Sequence, residues 1–360
     1  MFLVLSRNPR PAGSRMLTAE NHSHSKTSAM VLAIRIHENG GPEVLRREEI
    51  ELPPPGAGEA RVRHTAIAVN FSDVNVRRGG FYLAKPQQFP LILGNEAAGV
   101  VARLGPGVTT VRKGERVAYV GTGGPFYEAT GAYAEERNVP ADCLVKLPEG
   151  IAEQTAAAFL LKGLTAAMIV NRVFRPGSGD TVLVHAAASG VGILLCQWAK
   201  HLGARVIGTV GSADKARVAR THGCEHVFLY ADFPAEVRKL APEGVSAVFD
   251  GVGKDTFERS IPCVRRFGML VNYGNASGHV PPVDLLLFAK HGSLSVSRPG
   301  FSHYIAERGG LQPACGELFD LVLRGVLKVE IGRSYRLSDA QAAHRDLEER
   351  RLFGSAVLIP

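Results

Sequence analysis

The pattern of apolar and polar positions along the chain changes character near residue 150. Before that point, short apolar stretches are separated by glycine- and proline-rich turns, which is typical of the β-strands of a partly open barrel. After it, a helical segment of small residues over 152–171 leads into strand and helix patterns that alternate over 181–274. Such alternation, which includes a helix predicted over 255–266, indicates a doubly wound parallel sheet. Farther along, a long amphipathic helix is predicted to end near Gly325, and Ser338 with Gln341 predicts a capping box for the last helix. We therefore predict an α/β protein with two structural regions.

A strand, a turn of small residues and a helix follow one another over 181–202. The apolar run over 181–185 has the length of one buried strand, and the helical pattern that follows is closed by Gly203. The turn between them aims backbone amides and the positive end of a helix dipole at one point, which suits a pyrophosphate. A second strand over 204–210 completes the spacing of roughly 30 residues that a βαβ unit requires.

The glycine fingerprint of dinucleotide-binding turns is degenerate in this unit. Its three positions fall on Ala187, Ser189 and Gly192, of which only the last is glycine. Alone, this turn could equally be an ordinary turn of small residues. Alanine and serine still let the backbone approach a phosphate, and the surrounding βαβ pattern favours dinucleotide binding.

The residues after the second strand favour NADPH over NADH. An NAD site usually has an acidic residue there, whereas a 2′-phosphate needs a cation. Ser212 can donate to a phosphate, and Lys215 lies one turn into the next helix, although it could also be an ordinary solvated residue. Asp214 argues for NAD, but a carboxylate in a first helical turn is also favoured by the helix dipole. We predict NADPH.

Composition excludes several classes of function. The 360 residues are enough for two cores, and no run of 18 apolar residues predicts a membrane span. The net charge is +8, of which four cations and one acid in residues 1–29 contribute 4 − 1 = +3. No basic run with interleaved aromatic residues predicts nucleic-acid binding. Five cysteines without a C-x-x-C pattern predict buried thiols in a reducing compartment. We predict a cytoplasmic protein without a membrane or nucleic-acid partner.

Residues 1–29 show no sustained periodicity and are predicted to be a disordered extension. The segment carries arginine and few acids, so a transit peptide is an alternative.

Many segments, in one order, resemble the zinc-free NADPH:quinone oxidoreductases of the medium-chain dehydrogenase/reductase superfamily, which include zeta-crystallin. They are HENGGPEVL (37–45), VNFSDVNVRRG (69–79), GNEAAGVV (94–101), FLLKGLTA (159–166), HAAASGVG (185–192), CQWAKHLGA (196–204), IGTVGSADK (207–215), YGNASG (273–278) and SRPGF (297–301). The resemblance implies a GroES-like partly open β-barrel domain over 30–155 and 300–360, and a Rossmann domain over 156–299.

The resemblance also predicts the absence of zinc. In the zinc-dependent members of the superfamily, a cysteine and a histidine bind the metal at two places where this chain has Asn70 and Asn95. The four-cysteine structural zinc lobe is missing as well. Without a Lewis acid, a quinone or an activated enone is a better acceptor than a ketone, because it spreads the arriving charge over a conjugated system.

Residue roles come from the resemblance alone. Asn70 and Asp73 are expected at the nicotinamide end, and Tyr82 beside the substrate, although an insertion over 83–93 shifts its position by up to a residue or so. The expected cofactor-binding residues are Lys162 near the ribose, Gly190, Val191 and Gly192 at the pyrophosphate, and Ser212, Lys215 and Tyr230 around the adenosine phosphate. Tyr273, Asn275 and Ser277 are expected at the nicotinamide ribose or carboxamide, and Arg350 is expected to reach the cofactor from the last helix. Asp73 could also be a helix N-terminal charge and Tyr230 a strand-end aromatic residue.

The leading hypothesis is an NADPH-dependent quinone reductase. The nearest alternative is a reductase of enones or 2-alkenals on the same scaffold. A third hypothesis is a binding protein for NADPH or RNA, as the crystallin members allow. The family further implies a homodimer through strands near 269–274 and 293–299.

Overall fold

The computed structural model describes residues 28–79, 86–122 and 130–360. Nearly all of the predicted extension over 1–29 lies outside the described residues, and so does Tyr82. The described strands form sheets of three, six and seven strands.

The first part of the chain is almost entirely β-structure. Its longest strand pairs with two neighbours in the antiparallel sense. The buried positions of these strands form one core cluster that contains Val62, Ala97 and Val117. Among the described residues up to 146, the elements are β1 (Ala29–Ile36), β2 (Arg46–Leu52), β3 (Glu59–Val69), α1 (Phe71–Arg77), β4 (Leu91–Ile92), β5 (Glu96–Leu104), β6 (Arg116–Val120), β7 (Glu136–Pro140) and β8 (Val145–Lys146).

Helix α1 interrupts a region for which the sequence pattern predicted strands. It begins after Asn70, whose backbone N–H donates to the Asp73 carboxylate Oδ2 at 2.8 Å. A carboxylate at the third helical position satisfies a backbone donor that would otherwise be left unpaired. The helix buries charged residues, Asp73 and Arg77, on its inner face. Apolar periodicity therefore could not have indicated it.

Helix α2 (Glu153–Met168) continues as a short π-helix over Ile169–Val173 and packs against both halves of the molecule. The combined helix is long and apolar enough to cross a membrane, with a mean hydropathy of 1.4, although no run of 18 apolar residues is present. However, 72% of its most apolar window is buried in the protein, which is typical of a core helix.

A parallel sheet of six strands follows α2, in the order β11-β10-β9-β12-β13-β14. The chain moves outward from β9 on one side and then on the other, so a topological switch point lies beside β9. The elements are β9 (Thr181–Val184), α3 (Gly190–His201), β10 (Arg205–Val210), α4 (Ala213–Thr221), β11 (His226–Leu229), α5 (Phe233–Leu240), β12 (Val245–Asp250), α6 (Phe257–Ser260), β13 (Val264–Asn272), α7 (Leu286–Lys290) and β14 (Ser295–Ser297).

Two helices predicted from periodicity are broken in the structure. The helix expected over 255–266 is the single turn α6 and a 3-10 turn, because Pro262 cannot continue the hydrogen-bond ladder. The long helix expected to end near Gly325 is split into α8 (Phe301–Glu307) and α9 (Leu311–Leu323). Gly309 and Gly310 separate the two at φ of +76° and +112°, values that favour glycine.

The chain then returns to the first sheet through β15 (Ile331–Arg336), α10 (Ala340–Glu348) and β16 (Ser355–Ile359). β16 pairs antiparallel with β3. The capping box expected between Ser338 and Gln341 does not form, since α10 begins only at Ala340. The Gln341 amide instead donates to the carbonyl oxygen of Leu45 at 2.9 Å.

Candidate active site

The turn between β9 and α3 leaves little room for side chains. Ala186 has a φ of +51°, and the Ser189 hydroxyl accepts a hydrogen bond from the Gly192 N–H at 3.1 Å, so that Ser189 caps helix α3. A Cβ atom at Gly192 would lie 2.2 Å from the Ala186 carbonyl oxygen, so only glycine fits there. The first-turn amides of α3, including those of Gly190 and Val191, lie at the positive end of the helix. The predicted pyrophosphate seat therefore has the required backbone geometry.

The segment before β16 lies directly on this turn. The Gly354 N–H donates to the Ala188 carbonyl oxygen at 2.8 Å, and Ser189 and Gly354 form an isolated parallel bridge. The Ser355 hydroxyl donates to the Ala158 carbonyl oxygen of α2 at 2.6 Å. The turn is thus held between the parallel sheet and the returning chain.

Ser212, Lys215 and Tyr230, the residues predicted around the adenosine phosphate, lie near one another, and Arg350, predicted to reach the cofactor from the last helix, lies beside them. Ser212 caps α4, and the Lys215 ammonium donates to the Arg350 carbonyl oxygen at 2.5 Å. Burial, and then the charge of Arg350, lower the pKa of Lys215. The Tyr230 hydroxyl accepts from the Ala186 N–H at 3.0 Å. The Arg350 guanidinium itself lies 3.7 Å from the Asp255 Oδ2, yet its charge also acts on Lys215, so the two cations lie close enough to favour an anionic ligand.

A pocket of about 270 Å³ opens beside these residues and is lined in part by Tyr230, Asp255, Arg259 and Arg350. Asp214, which argued for NAD, is exposed and paired with Arg217 at 2.5 Å. Its carboxylate is therefore already engaged at the surface, in agreement with a helix-end role.

The predicted nicotinamide residues Tyr273, Asn275 and Ser277 follow the end of β13. The Tyr273 hydroxyl is buried without a hydrogen-bond partner among the described residues. Asn275 lies beside Gly253, whose added Cβ would be 3.2 Å from the Asn275 Cα. The Ser277 hydroxyl donates to the Val252 carbonyl oxygen at 2.9 Å and accepts from the Asp255 N–H at 3.0 Å. Ser277 therefore fixes the loop after β12, where its hydroxyl is already used.

A second polar cluster lies at the start of α1. The Lys162 ammonium donates to the Asn70 Oδ1 at 2.7 Å and lies 3.7 Å from the Glu96 Oε2. The Asn70 amide also donates to that Glu96 oxygen at 3.0 Å, and the other Glu96 oxygen accepts from the Leu161 N–H at 2.6 Å. Burial raises the pKa of Glu96, against the opposing charge of Lys162.

Lys162 connects this cluster to the cofactor turn. A Cβ atom at Gly190 would lie 2.5 Å from the Lys162 Cδ, so the lysine stem passes directly over the start of α3. The sequence prediction gave Lys162 only a cofactor ribose contact, and it missed Glu96 altogether. In the sequence, only the neighbouring Asn95 stands out, at the place of a missing zinc ligand.

The donor set does not fit zinc. The Asn70 Oδ1 accepts from an ammonium group, which would repel a metal cation at the same place. Within 28–79, 86–122 and 130–360, no group of three or more His, Cys, Asp or Glu side chains could hold a metal ion.

Asp73, the other predicted nicotinamide residue, lies behind Asn70 and is fully buried. Its Oδ2 accepts from the Asn70 N–H at 2.8 Å and from the Tyr133 hydroxyl at 3.2 Å. Burial raises the pKa of Asp73 to about 7. Asn70, Lys162 and Asp73 are thus brought together, whereas Tyr82 lies outside the described residues.

Comparison with known families agrees with this geometry. Residues 56–149 match the alcohol dehydrogenase GroES-like domain family, and residues 190–305 match the zinc-binding dehydrogenase family. This chain therefore belongs to the class of medium-chain dehydrogenases and reductases, as the sequence predicts.

The chain is similar to quinone oxidoreductase 1 of Escherichia coli, with 42% identity over 92% of this chain and 100% of that protein. It is 40% identical to the 2-haloacrylate reductase of a Burkholderia species, over 92% of this chain and 99% of the relative. The structure of E. coli quinone oxidoreductase complexed with NADPH has a TM-score of 0.85 at 41% identity, covering 91% of this chain and all of the other. This chain belongs to the quinone oxidoreductase family, and the predicted fold class is confirmed.

Proposed function

We propose that this protein is an enzyme that reduces quinones with NADPH and without a metal ion. The observation that carries this proposal is the Lys162 ammonium bound to Asn70, where a metal-dependent relative would bind its cation. A quinone needs no Lewis acid, because its conjugated ring and two oxygens share the arriving negative charge. The protein's task is then to hold the acceptor and the cofactor in register.

The residues present fit NADPH. The turn that ends at Gly192 would hold the pyrophosphate, and Lys215 and Arg350, with Ser212 and Tyr230, would hold the 2′-phosphate. Bound NADPH supplies a hydride. Tyr273 has a buried hydroxyl that lacks a partner in the described chain, and with Asn275 it would hold the nicotinamide end, on a loop that the Ser277 hydroxyl fixes. Asn70 and Lys162 orient that end from the opposite side.

We propose the domain division that the resemblance implies. Residues 30–155 and 300–360 form the GroES-like domain, and residues 156–299 form the Rossmann domain. The pairing of β16 with β3 and the continuous parallel sheet β9–β14 support this division.

We propose a homodimer through the outer edge of the parallel sheet. Strand β14 ends the sheet, and Phe267, Leu285 and Val296 near it are 82%, 79% and 42% exposed. An unpaired edge with large apolar side chains favours pairing with a second copy. A cytoplasmic location, with neither nucleic acid nor a membrane as partner, completes the proposal.

The test is NADPH consumption with a naphthoquinone, an orthoquinone, an enone and a ketone, with a metal chelator present throughout. We expect fast turnover of the quinones that the chelator does not reduce. Activity that disappears with chelator and returns with zinc would contradict the proposal.

A second candidate function is the reduction of activated alkenes. The similarity to a 2-haloacrylate reductase favours it, because that relative is almost as similar as the quinone oxidoreductases. A kcat/KM for the enone above that for both quinones would replace the leading proposal by this one.

A further inference from the structure

Four buried side chains form a continuous hydrogen-bonded chain behind the Asn70–Lys162 pair. The Arg77 Nη1 lies 2.9 Å from the His344 Nδ1, and the His344 Nε2 lies 2.9 Å from the Tyr133 hydroxyl. The Tyr133 hydroxyl lies 3.2 Å from the Asp73 Oδ2. All four residues are 0% exposed. They come from α1, the segment before β7, and α10, which are far apart in sequence.

The chemistry of Arg77 fixes the direction of every hydrogen bond in this chain. A guanidinium only donates, so the His344 Nδ1 accepts and the ring proton lies on Nε2. Burial and the neighbouring Arg77 lower the pKa of His344 to about 3, which keeps the ring neutral. His344 therefore donates to Tyr133, and Tyr133 donates to Asp73. Because arginine does not release its proton, the chain holds Asp73 in place and does not conduct protons.

Asp73 is the last residue in this series of hydrogen bonds, and it is the group in the series whose charge can change. Its Oδ2 accepts two hydrogen bonds, while its Oδ1 is buried with no partner in the described part of the protein. The charged groups that face it are Lys162 from α2 and Glu96 from β5. Burial raises the pKa of Asp73 to about 7, so both charge states are populated near neutral pH.

Each of the two buried cations around the site already has a carboxylate partner. Lys162 faces Glu96, and Arg77 pairs with Glu348 of α10 at 2.6 Å. Glu348 also contacts the half-exposed Arg78. An ionised Asp73 therefore adds a second carboxylate that faces Lys162, which already faces Glu96, and a protonated Asp73 adds no charge there. Hydride transfer brings negative charge to the acceptor, which a neighbouring anion opposes.

We propose that Asp73, fixed by Tyr133, His344 and Arg77, is a positioning residue that sets the charge beside the Asn70–Lys162 pair and makes acceptor reduction faster when it is protonated. This inference rests on the proposed quinone reductase function. It assigns a role in that reaction to Tyr133, His344 and Arg77, which lie behind the site and do not touch it.

The first experiment compares the pH dependence of kcat for the wild type and Asp73→Asn, from about pH 5.5 to about pH 8.5. We expect the wild-type kcat to fall by about tenfold as Asp73 ionises. Asp73→Asn stays neutral, so its profile should be flat at the low-pH level. An Asp73→Asn profile with the wild-type midpoint would overturn the proposal.

The second experiment follows the Asp73 carboxyl itself, by infrared difference titration of the cofactor-free protein against Asp73→Asn. We expect a midpoint near pH 7. Tyr133→Phe removes a donor to the carboxylate and should raise that midpoint by about one pH unit. The kcat profile should move with it. A midpoint at the ordinary aspartate value of about 4 would overturn the proposal.

Two variants of His344 separate positioning from simple packing. Gln can accept from Arg77 and donate to Tyr133, so His344→Gln should keep the wild-type midpoint, whereas His344→Leu should shift it. Equal Asp73 titration midpoints in His344→Gln and His344→Leu would contradict the proposed series of hydrogen bonds from Arg77 to Asp73. A protein that binds NADPH and reduces no quinone would refute the proposed function, while the infrared titration would still test the chain.

Discussion

The cofactor turn between β9 and α3 and a buried polar cluster at α1 meet at Lys162, but they are built in opposite ways. We call the second region the α1 cluster; it consists of Asn70, Asp73, Arg77, Glu96, Tyr133, Lys162 and His344. The turn uses consecutive residues, backbone amides and a glycine that cannot carry a side chain, and its cations Lys215 and Arg350 are partly exposed. The α1 cluster uses buried side chains from five separate stretches of sequence that satisfy one another. The turn is thus open to a ligand, whereas the cluster supports a ligand site from behind. Changes in the cluster should therefore affect stability and turnover, and changes at the turn should affect binding.

The largest expected effect is a loss of folding stability at acid pH, caused by buried histidines in both halves of the molecule. Burial lowers the pKa of His185 in the parallel sheet and of His64 in the first sheet to about 4, and that of His344 to about 3. These rings stay neutral when folded but become protonated when unfolded below about pH 6.5. Stability is therefore lost as pH falls from 6.5 towards 4, by about 2 kcal/mol for each histidine at pH 5.

Asp73 acts in the opposite direction. Its folded pKa of about 7 is above the unfolded value, so its contribution is present at low pH and is lost as pH rises through 7. Denaturant unfolding at several pH values measures the net change in the free energy of unfolding. The loss from the three histidines on acidification should exceed the gain from Asp73. Gln cannot be protonated, so the His344→Gln variant should lose about 2 kcal/mol less stability than the wild type when the pH falls to 5. Stability that is constant between about pH 7.5 and about pH 5 would contradict this prediction.

The next effect tests whether the α1 cluster is structural support. Glu96→Gln leaves the Lys162 ammonium without its buried counter-charge, and we expect a loss of about 3 kcal/mol in the free energy of unfolding. The matched control is Glu236→Gln, which breaks a surface pair with Lys239 and should cost less than about 1 kcal/mol. Equal losses in the two variants would mean that the buried pair has no special role.

The smallest effect tests the turn region. Lys215→Ala should weaken NADPH binding by about tenfold, or about 1.4 kcal/mol, and leave NADH binding unchanged. Asp214→Ala is the control one residue away, because Asp214 faces solvent and pairs with Arg217. Fluorescence titration of both dinucleotides measures the difference. An equal loss for NADPH and NADH would mean that Lys215 does not bind the 2′-phosphate.

The difference between the regions also explains what the sequence could predict. The turn was found because Ser189 and Gly192 lie in one stretch between a strand and a helix, and the parallel sheet followed from alternation. Glu96 was missed because its partner Lys162 is distant in sequence and only the fold brings the two together. Tyr133 and His344 were missed for the same reason, since only the fold brings them to Asp73.

Local signals failed where tertiary contacts override them. Ser338 and Gln341 have the spacing of a capping box, but Gln341 donates to Leu45 on a distant loop. Cys196 and Cys224 form no sequence motif, yet their sulfur atoms lie 3.3 Å apart between α3 and the segment that precedes β11. Spacing alone could not indicate either contact.

The contact between Gly354 and Ala188 has a consequence for synthesis of the protein. The segment that carries Arg350, Gly354 and Ser355 leaves the ribosome long after the turn on which it rests. A nascent chain that has already formed β9, α3 and β10 still lacks one cation beside the predicted phosphate seat and the bridge that holds the turn. We therefore expect tight capture of the dinucleotide to be a late event in biogenesis, after β16 has joined β3.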